Sequence, residues 1–292
     1  MTAASRPGAG RDPDEIAPGV FVFTAPMYTT TTTVVAGADG GCLLVDPAVT
    51  ADDLAGLARW LTGRRLRPVA AWSTHPHWDH LLWSPALGHP PRYATPAAAS
   101  AAGRGRAGLI AEAERDAPGH DLSQFARVRP WAAAELDWPG PRAVVYQHDA
   151  HAPGHGALYL PGSGVLVAGD MCSDIEIPLL DLDRAGQGST GQGGGADPFV
   201  AYRAGLGLLA GIPVVRVLVP GHGHVGDGPE FRRRVAADLA YLDAVEGGAG
   251  LAGAPLDEPR LRADGPDAGW LRDEHARAAA FAAGRAPGVP GG

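Results

Sequence analysis

The sequence predicts an α/β protein that forms one domain with a C-terminal extension. Its 292 residues, 45% of them hydrophobic, suit a single α/β domain of about 250 residues with an added segment. Short β-branched runs alternate with longer segments of helical apolar spacing, and a histidine cluster directly follows one of these runs. We expect an N-terminal arm at 1–14, disordered because it is rich in Gly, Pro and charge. A catalytic domain at 15–249 and a helical extension at 250–292, packed on the same domain, complete the prediction.

The first half of the chain alternates strands with helices. Apolar or β-branched runs predict strands at 19–23, 30–35, 42–46 and 68–72. Apolar side chains at helical spacing predict a helix over 51–62. The Ala-rich stretch 95–134 predicts mostly helix, broken by the Pro-Gly-His-Asp segment at 118–121.

The second half repeats this alternation. The pattern predicts strands at 143–146, 156–160, 165–168 and 214–219, and helices at 199–210, 229–245 and 266–283. Residues 183–197 are rich in Gly with little to bury, which is typical of a mobile loop. Together with residues 96–135, the segment 181–198 is the expected lid over a substrate site.

Composition excludes several classes of partner. A net charge of -8 offers no electrostatic footprint for nucleic acid or an anionic membrane. No stretch approaches the roughly 18 apolar residues of a membrane span, and the polar start lacks an apolar secretion core, so we expect a cytoplasmic protein. Cys42 and Cys172 are expected to be reduced thiols. The Gly-, Ala- and Arg-rich style indicates a bacterial source. The expected partner is a small-molecule substrate, with a homodimer left open.

The most informative stretch runs from residue 75 to residue 80. Three imidazoles and a carboxylate occur there, directly after a predicted buried strand: His75, His77, Asp79 and His80. Alternation at a strand end points His75 and His77 the same way, while the other two belong to the following turn. Imidazole nitrogens with a carboxylate oxygen suit zinc, or iron or manganese if the oxygen share is larger. The stretch therefore predicts a metal site.

Further ligand candidates stand at other strand ends. His155 lies in a Pro-Gly-His-Gly turn before a strand, Asp170 closes an apolar strand, and His222 follows another in a second Pro-Gly-His-Gly sequence. Glycines beside each candidate let the backbone come close to a crowded cluster.

The ordered motifs resemble those of the metallo-β-lactamase-fold metallohydrolase superfamily, over residues 17–246. They are His75-x-His77-x-Asp79-His80, Pro-Gly-His155, Gly-Asp170 and Pro-Gly-His222-Gly. The resemblance implies an αββα sandwich of two mixed β-sheets flanked by helices, with a dinuclear site at the edge between the sheets. It implies one metal on His75, His77 and His155, a second on Asp79, His80 and His222, and Asp170 as the bridge.

The implied chemistry is hydrolysis. Two divalent ions, zinc first with iron or manganese as alternatives, would lower the pKa of a bridging water to about 7 and supply a hydroxide. Asp79 and Asp170 are the expected catalytic residues, orienting and passing its proton. The resemblance is closest to glyoxalase II and lactonase types rather than true β-lactamases, because no export signal is evident. We therefore expect a small ester, thioester or lactone as substrate.

Three alternatives stay open beside this interpretation. The same metals could serve a phosphodiesterase-type hydrolase acting on a small phosphoester, and members of the fold with one iron act as thiol dioxygenases. A non-catalytic, metal-stabilised protein would be expected to have lost a ligand, whereas all seven positions are filled. The fold hosts many chemistries and does not name the substrate.

Several other residues have two interpretations. His224 competes with His222, and His148 and His151 are secondary candidates near the third motif. Asp46 is expected to support a ligand, and Cys172 to be a structural thiol. Asp174 and Glu176 suit either ligand support or an exposed strand face. The aromatic residues near the site suit either a pocket wall or the core: Tyr28, Trp78 and Trp83. The arginines 232–234 are interpreted as solvated.

Overall fold

Two mixed β-sheets form the centre of the protein, as seen in a computed structural model that describes residues 12–183, 197–248, 256–262 and 268–285. The predicted loop at 183–197 and the arm at 1–14 fall almost wholly outside these residues. The first strand of the described residues begins at Asp14.

The first sheet has seven strands in sequence order. They are β1 (Asp14–Ala17), β2 (Val20–Thr24), β3 (Thr31–Ala36), β4 (Gly41–Val45), β5 (Arg67–Trp72), β6 (Arg92–Ala94) and β7 (Arg129–Pro130). Neighbours from β1 to β4 are antiparallel, and neighbours from β4 to β7 are parallel. The parallel half brings the end of β5, and the histidine cluster after it, to one edge of the sheet.

The second sheet has five strands in the order β12-β11-β10-β9-β8. They are β8 (Val144–His148), β9 (His155–Leu160), β10 (Val165–Gly169), β11 (Val217–Pro220) and β12 (Gly226–Asp227). Strands β10 and β11 are parallel, whereas the other pairs are antiparallel. The ends of β10 and β11 therefore meet at one edge, which carries Asp170 and His222.

Helices cover the outer faces of both sheets. They are α1 (Ala51–Arg64), α2 (Pro96–Asp116), α3 (Pro198–Ala210), α4 (Gly228–Glu246), α5 (Pro259–Arg262) and α6 (Ala268–Gly284). A capping box starts α1, because Thr50 accepts a hydrogen bond from the backbone of Asp53 while Asp53 accepts one from the backbone of Thr50. No helix among the described residues combines the length and apolar character needed to cross a membrane.

Side-chain alternation on each strand produces three buried layers. On β4, Leu43 and Val45 face the second sheet, whereas Cys42 and Leu44 face the helices α1 and α2. A third core lies between the second sheet and the helices α3, α4 and α6. This is the predicted αββα sandwich, and that prediction is confirmed. Helix α6 contributes Leu271 to the third core, so the described part of the extension packs on the same domain.

Two expectations were wrong in detail. The break predicted at 118–121 is present, because α2 ends at Asp116 and Gly119 adopts a left-handed φ of 99°, but the helix expected after it does not form: residues 122–134 contain a 3-10 turn at Leu122–Gln124 and strand β7. The arginines on α4 are not all solvated: Arg234 is only 4% exposed. Its guanidinium pairs with Glu230 at 2.7 Å and donates to the carbonyls of Cys172 and His224.

Candidate metal centre

The candidate site lies at the edge where strands of both sheets end. His75 and His77 follow β5, and a single 3-10 turn, Trp78–His80, carries Asp79 and His80. Asp170 follows β10 and His222 follows β11. The backbone of Gly221 donates to the carbonyl of Gly169 at 2.7 Å, which holds the last two segments together. Residues far apart in sequence thus converge on one small volume.

A first group of donor atoms comes from His75, His77, His151 and Asp170. Nδ1 of His77 lies 3.1 Å from Nε2 of His75 and 3.1 Å from Nε2 of His151. Oδ2 of Asp170 lies 3.2 Å from Nε2 of His75 and 3.3 Å from Nε2 of His151. Three imidazoles and one carboxylate therefore point at a common centre.

A second group comes from Asp79, His80 and His222. Nε2 of His222 lies 3.1 Å from Oδ2 of Asp79 and 3.3 Å from Nε2 of His80. Asp170 lies between the groups, because its Oδ1 is 3.2 Å from Nε2 of His80 and its Oδ2 is 3.4 Å from Nε2 of His222. One carboxylate thus faces both groups.

These separations fit a divalent metal in each group. Donors that share a tetrahedral zinc at about 2.0–2.1 Å lie about 3.3–3.4 Å from one another, and the distances above run from 3.1 to 3.4 Å. Oδ1 of Asp170 is buried and has no hydrogen-bond partner in the described structure. A buried carboxylate oxygen without a partner is costly, and a cation would satisfy it.

The third histidine of the first group differs from the sequence expectation. The resemblance implied His155, whereas the structure brings His151 into the group. His155 is fully buried behind His75, with ring centroids 5.0 Å apart. Its Nδ1 lies 3.2 Å from Nε2 of His148, and its Nε2 faces Gly169 without a hydrogen bond. The two candidates sit four residues apart in one His-Ala-Pro-Gly-His sequence, so the motif alone did not separate them.

Each buried histidine of the groups has its second nitrogen occupied. His151 Nδ1 lies 3.0 Å from the carbonyl of Leu179, and His222 Nδ1 lies 3.1 Å from that of Tyr28. A carbonyl oxygen can only accept, so each Nδ1 carries the proton and Nε2 is left to bind a cation. The same logic applies to His80, whose Nδ1 faces a carboxylate oxygen of Asp46, and to His75, whose Nδ1 faces the Thr74 hydroxyl that itself donates to Asp46.

Asp46 supports both groups at once. Its Oδ2 lies 3.0 Å from Nδ1 of His80 and accepts a 2.6 Å hydrogen bond from Oγ1 of Thr74. That hydroxyl is 3.0 Å from Nδ1 of His75. The expectation that Asp46 supports a ligand therefore agrees with the geometry.

The electrostatics of the site pair its carboxylates with its histidines: against the opposing effect of burial, the carboxylates raise the pKa of His80 and His222. Burial alone would raise the pKa of Asp79 and Asp170, but the neighbouring histidines, His80 foremost, hold the pKa of both well below the usual range. Burial lowers the pKa of His77 to about 3, with repulsion from His151 in support. The carboxylates stay anionic and His77 stays neutral, which is the protonation state that metal binding needs.

A cleft of about 640 Å³ opens above both groups. Its walls come from α2, from the segment after Asp170 and from α6. Tyr28 and Trp78 line it, whereas Trp83 is 2% exposed and donates a hydrogen bond to the carbonyl of Gly88, so Trp83 belongs to the core. A separate cavity of about 30 Å³ beside α1 contains none of the histidines.

The remaining candidates have other roles. Asp174 binds His224, through the backbone amide at 2.8 Å and through Nδ1 at 2.9 Å, so neither joins a donor group. Glu176 lines the cleft, and burial raises its pKa to about 7. Burial also raises the pKa of Cys172, as expected for a structural thiol. Reasoning from sequence left Glu176 undecided because its strand-like alternation did not show which way it faces.

Comparison with known proteins places this geometry in a family. The family model of the metallo-beta-lactamase superfamily matches residues 26–222, about two thirds of the chain. The chain belongs to that superfamily. No curated protein sequence matches it.

Solved structures share the fold. A beta-lactamase domain protein from Burkholderia ambifaria superposes with a TM-score of 0.65 at 20% identity, covering 95% of this chain and 88% of that one. The metallo-beta-lactamase family protein TTHA1429 from Thermus thermophilus gives 0.58 at 21% identity, covering 82% and 85%. TTHA1623, solved in a di-iron-bound form, gives 0.56 at 27% identity, covering 74% and 98%.

Proposed function

We propose that this protein is a dinuclear metal-dependent hydrolase acting on a small ester, thioester or lactone. The main support for this proposal is the pair of donor groups that Asp170 joins at the base of the cleft. The proposed ligands are His75, His77 and His151 for one metal and Asp79, His80 and His222 for the other, with Asp170 shared. Members of the superfamily are mostly metal-dependent hydrolases.

The donor set suits two divalent ions, zinc first and iron or manganese as alternatives. Five imidazoles and two carboxylates match the nitrogen-rich sites that these metals occupy. The di-iron form of TTHA1623 supports a count of two. When bound, such ions lower the pKa of water to about 7 and polarise a carbonyl oxygen.

The chain's own residues supply proton handling and placement. Asp79 lines the cleft and stays anionic, so its carboxylate can accept a proton from an attacking water and return it to the leaving group. Asp170 stays anionic between the two groups and holds them together. Tyr28, Trp78 and Leu179 give the cleft an apolar wall, which suits the organic part of a small substrate.

The alternatives receive less support. Free cationic side chains beside the site would favour a phosphoester, yet the two cleft arginines of the described chain already pair with carboxylates: Arg115 with Asp116 at 2.7 Å, and Arg277 with Asp183 at 2.7 Å and Glu274 at 2.8 Å. A mononuclear-iron dioxygenase would leave the second donor group without a role. The cytoplasmic location and the homodimer remain predictions.

Metal content and hydrolysis test the proposal together. Elemental analysis of protein purified without added metal should find about two ions per chain. A panel of thioester, acyl lactone, aryl ester, cephalosporin and bis-aryl phosphate should show turnover of a carbonyl substrate only. Asp79→Asn should abolish that turnover, whereas His89→Ala, on an exposed residue outside both groups, should retain it. One ion or none, with every substrate inert, would refute the proposal.

A further inference from the structure

The cleft walls carry more negative charge than the metal groups require. Besides Asp79 and Asp170, six carboxylates line the cleft: Glu112, Asp116, Glu176, Asp181, Asp183 and Glu274. Only two arginines of the described chain, Arg115 and Arg277, face them, and both form ion pairs within the wall. A cleft lined by one sign of charge raises the local concentration of the opposite sign.

Among these carboxylates, Glu176 follows Asp170 closely along the chain and lines the same cleft as both donor groups. Its backbone is held from two sides, because its amide donates to Oγ of Ser173 at 3.0 Å and its carbonyl accepts from Nη1 of Arg260 at 2.9 Å. The side chain therefore projects into the cleft from a rigid support.

Aromatic surface accompanies these carboxylates. Tyr28 and Trp78 stand at the metal end of the cleft, with ring centroids 6.5 Å apart. Trp270 of α6 lines the cleft and is 47% exposed, although the neighbouring Leu271 is buried in the core. Aromatic faces beside carboxylates favour ammonium groups, because the ring quadrupole and the anion attract the same charge. Helix α6 lies beyond the residues 26–222 that match the family model.

We propose that the cleft selects acyl substrates that carry a positively charged ammonium group, with Glu176 as the specificity-determining residue beside the metals. The inference rests on the proposed hydrolase function and adds the class of substrate. Glu112, on the opposite wall, contributes to the same selection. An anionic substrate would meet repulsion from both walls.

The test uses three thioesters of equal shape on the zinc-loaded protein, at about pH 8, because burial raises the pKa of Glu176 to about 7 and its carboxylate must be anionic. Their acyl ends carry trimethylammonium, the neutral isostere tert-butyl, or sulfonate. We expect kcat/KM to be about tenfold higher for the cationic thioester than for the neutral one. The anionic thioester should have a lower kcat/KM than the neutral one. Glu176→Gln and Glu112→Gln should each reduce the ratio of cation to neutral severalfold. Glu114→Gln, on the exposed face of α2, should leave the ratio unchanged.

A binding measurement separates this inference from the hydrolase proposal. Calorimetry would compare phenyltrimethylammonium with benzenesulfonate on the same protein and on Glu176→Gln. Selective binding of the cation, weakened by Glu176→Gln, would uphold the charge selection even if no thioester were hydrolysed. Hydrolysis of all three thioesters at similar rates, or preference for the anion, would overturn the inference and leave the hydrolase proposal standing. If the protein showed no hydrolysis and no cation binding, both the charge-selection inference and the hydrolase proposal would be overturned.

Discussion

The carboxylate of Asp46 lies 3.0 Å from Nδ1 of His80 and, through the hydroxyl of Thr74, also reaches His75. One residue outside the donor groups therefore orients a histidine in each of them. Asp46 adopts a left-handed φ of 47° at the end of β4, a conformation that Asp tolerates better than most residues.

Replacing Asp46 tests this shared support. Asp46→Asn should weaken binding of both metals by about 10–100-fold, because the support of His75 and His80 is disturbed together. Competition with a chromogenic chelator would measure both affinities. Asp39→Asn, at an exposed position that also has a positive φ, is the matched control. Weaker metal binding at only one of the two sites would contradict the shared role of Asp46.

His151 and His155 can be distinguished by metal content. His151→Ala should leave about one ion per chain after gel filtration, because the first group loses a donor. His155→Ala should keep two ions but lower stability, since His155 packs between His75 and His148 and its nitrogens join neither donor group. The reverse pattern, with metal lost only on changing His155, would restore the assignment implied by the resemblance.

The absence of a side chain at Gly221 leaves room for the carboxylate of Asp170. A Cβ at Gly221 would overlap Oδ1 of Asp170, so Gly221→Ala should displace the carboxylate shared by the two groups and reduce metal content below two ions. Gly162→Ala is the control, because a Cβ there meets nothing within 4 Å. If Gly221→Ala is folded by circular dichroism and still binds two ions, Asp170 can move without loss of metal.

Arg260 anchors the extension to the segment that carries Glu176. It is 8% exposed and pairs with Asp238 at 2.6 Å and Glu258 at 2.8 Å. Arg260→Met should lower the free energy of unfolding by about 3–5 kcal/mol, because two buried carboxylates lose their partner. Thermal unfolding should show a fall of roughly 10 °C.

Arg262 provides the control for that substitution. It lies on the same short helix but is exposed and pairs with Asp257 at the surface, so Arg262→Met should change stability by less than about 1 kcal/mol. Equal effects of the two substitutions would mean that the buried ion pairs contribute nothing beyond a surface pair.

The two thiols should be unreactive in the folded protein. Burial raises the pKa of Cys42 to about 12, so at pH 8 almost none of this group is the reactive thiolate. Cys172 is also buried, and burial raises its pKa too. Ellman's reagent should therefore detect no thiol in the native chain and two after denaturation. Rapid reaction of the native protein with Ellman's reagent would show that at least one of the thiols becomes exposed.

Much of the architecture was readable in the sequence because its signals are local. Alternation along β4 and the helical spacing of α1 depend on neighbouring residues alone, and both elements formed where predicted. The expectation that Asp170 and His222 stand at strand ends also follows from local pattern. By contrast, the expectation of mostly helix after the break at 118–121 was wrong, because Ala-rich composition favours helix whereas this part of the chain forms a 3-10 turn and strand β7.

By itself the sequence determined the superfamily, the two mixed sheets and six of the seven residues now proposed as metal ligands, since each lies in a motif read from adjacent residues. Only the tertiary structure decided between His151 and His155, because the choice depends on which imidazole finds the carbonyl of Leu179, 28 residues away from His151. It also decided that Glu176 and Trp270 share one cleft. The cleft brings together segments that are distant in sequence, and no local pattern encodes which walls meet when three layers of core are packed together.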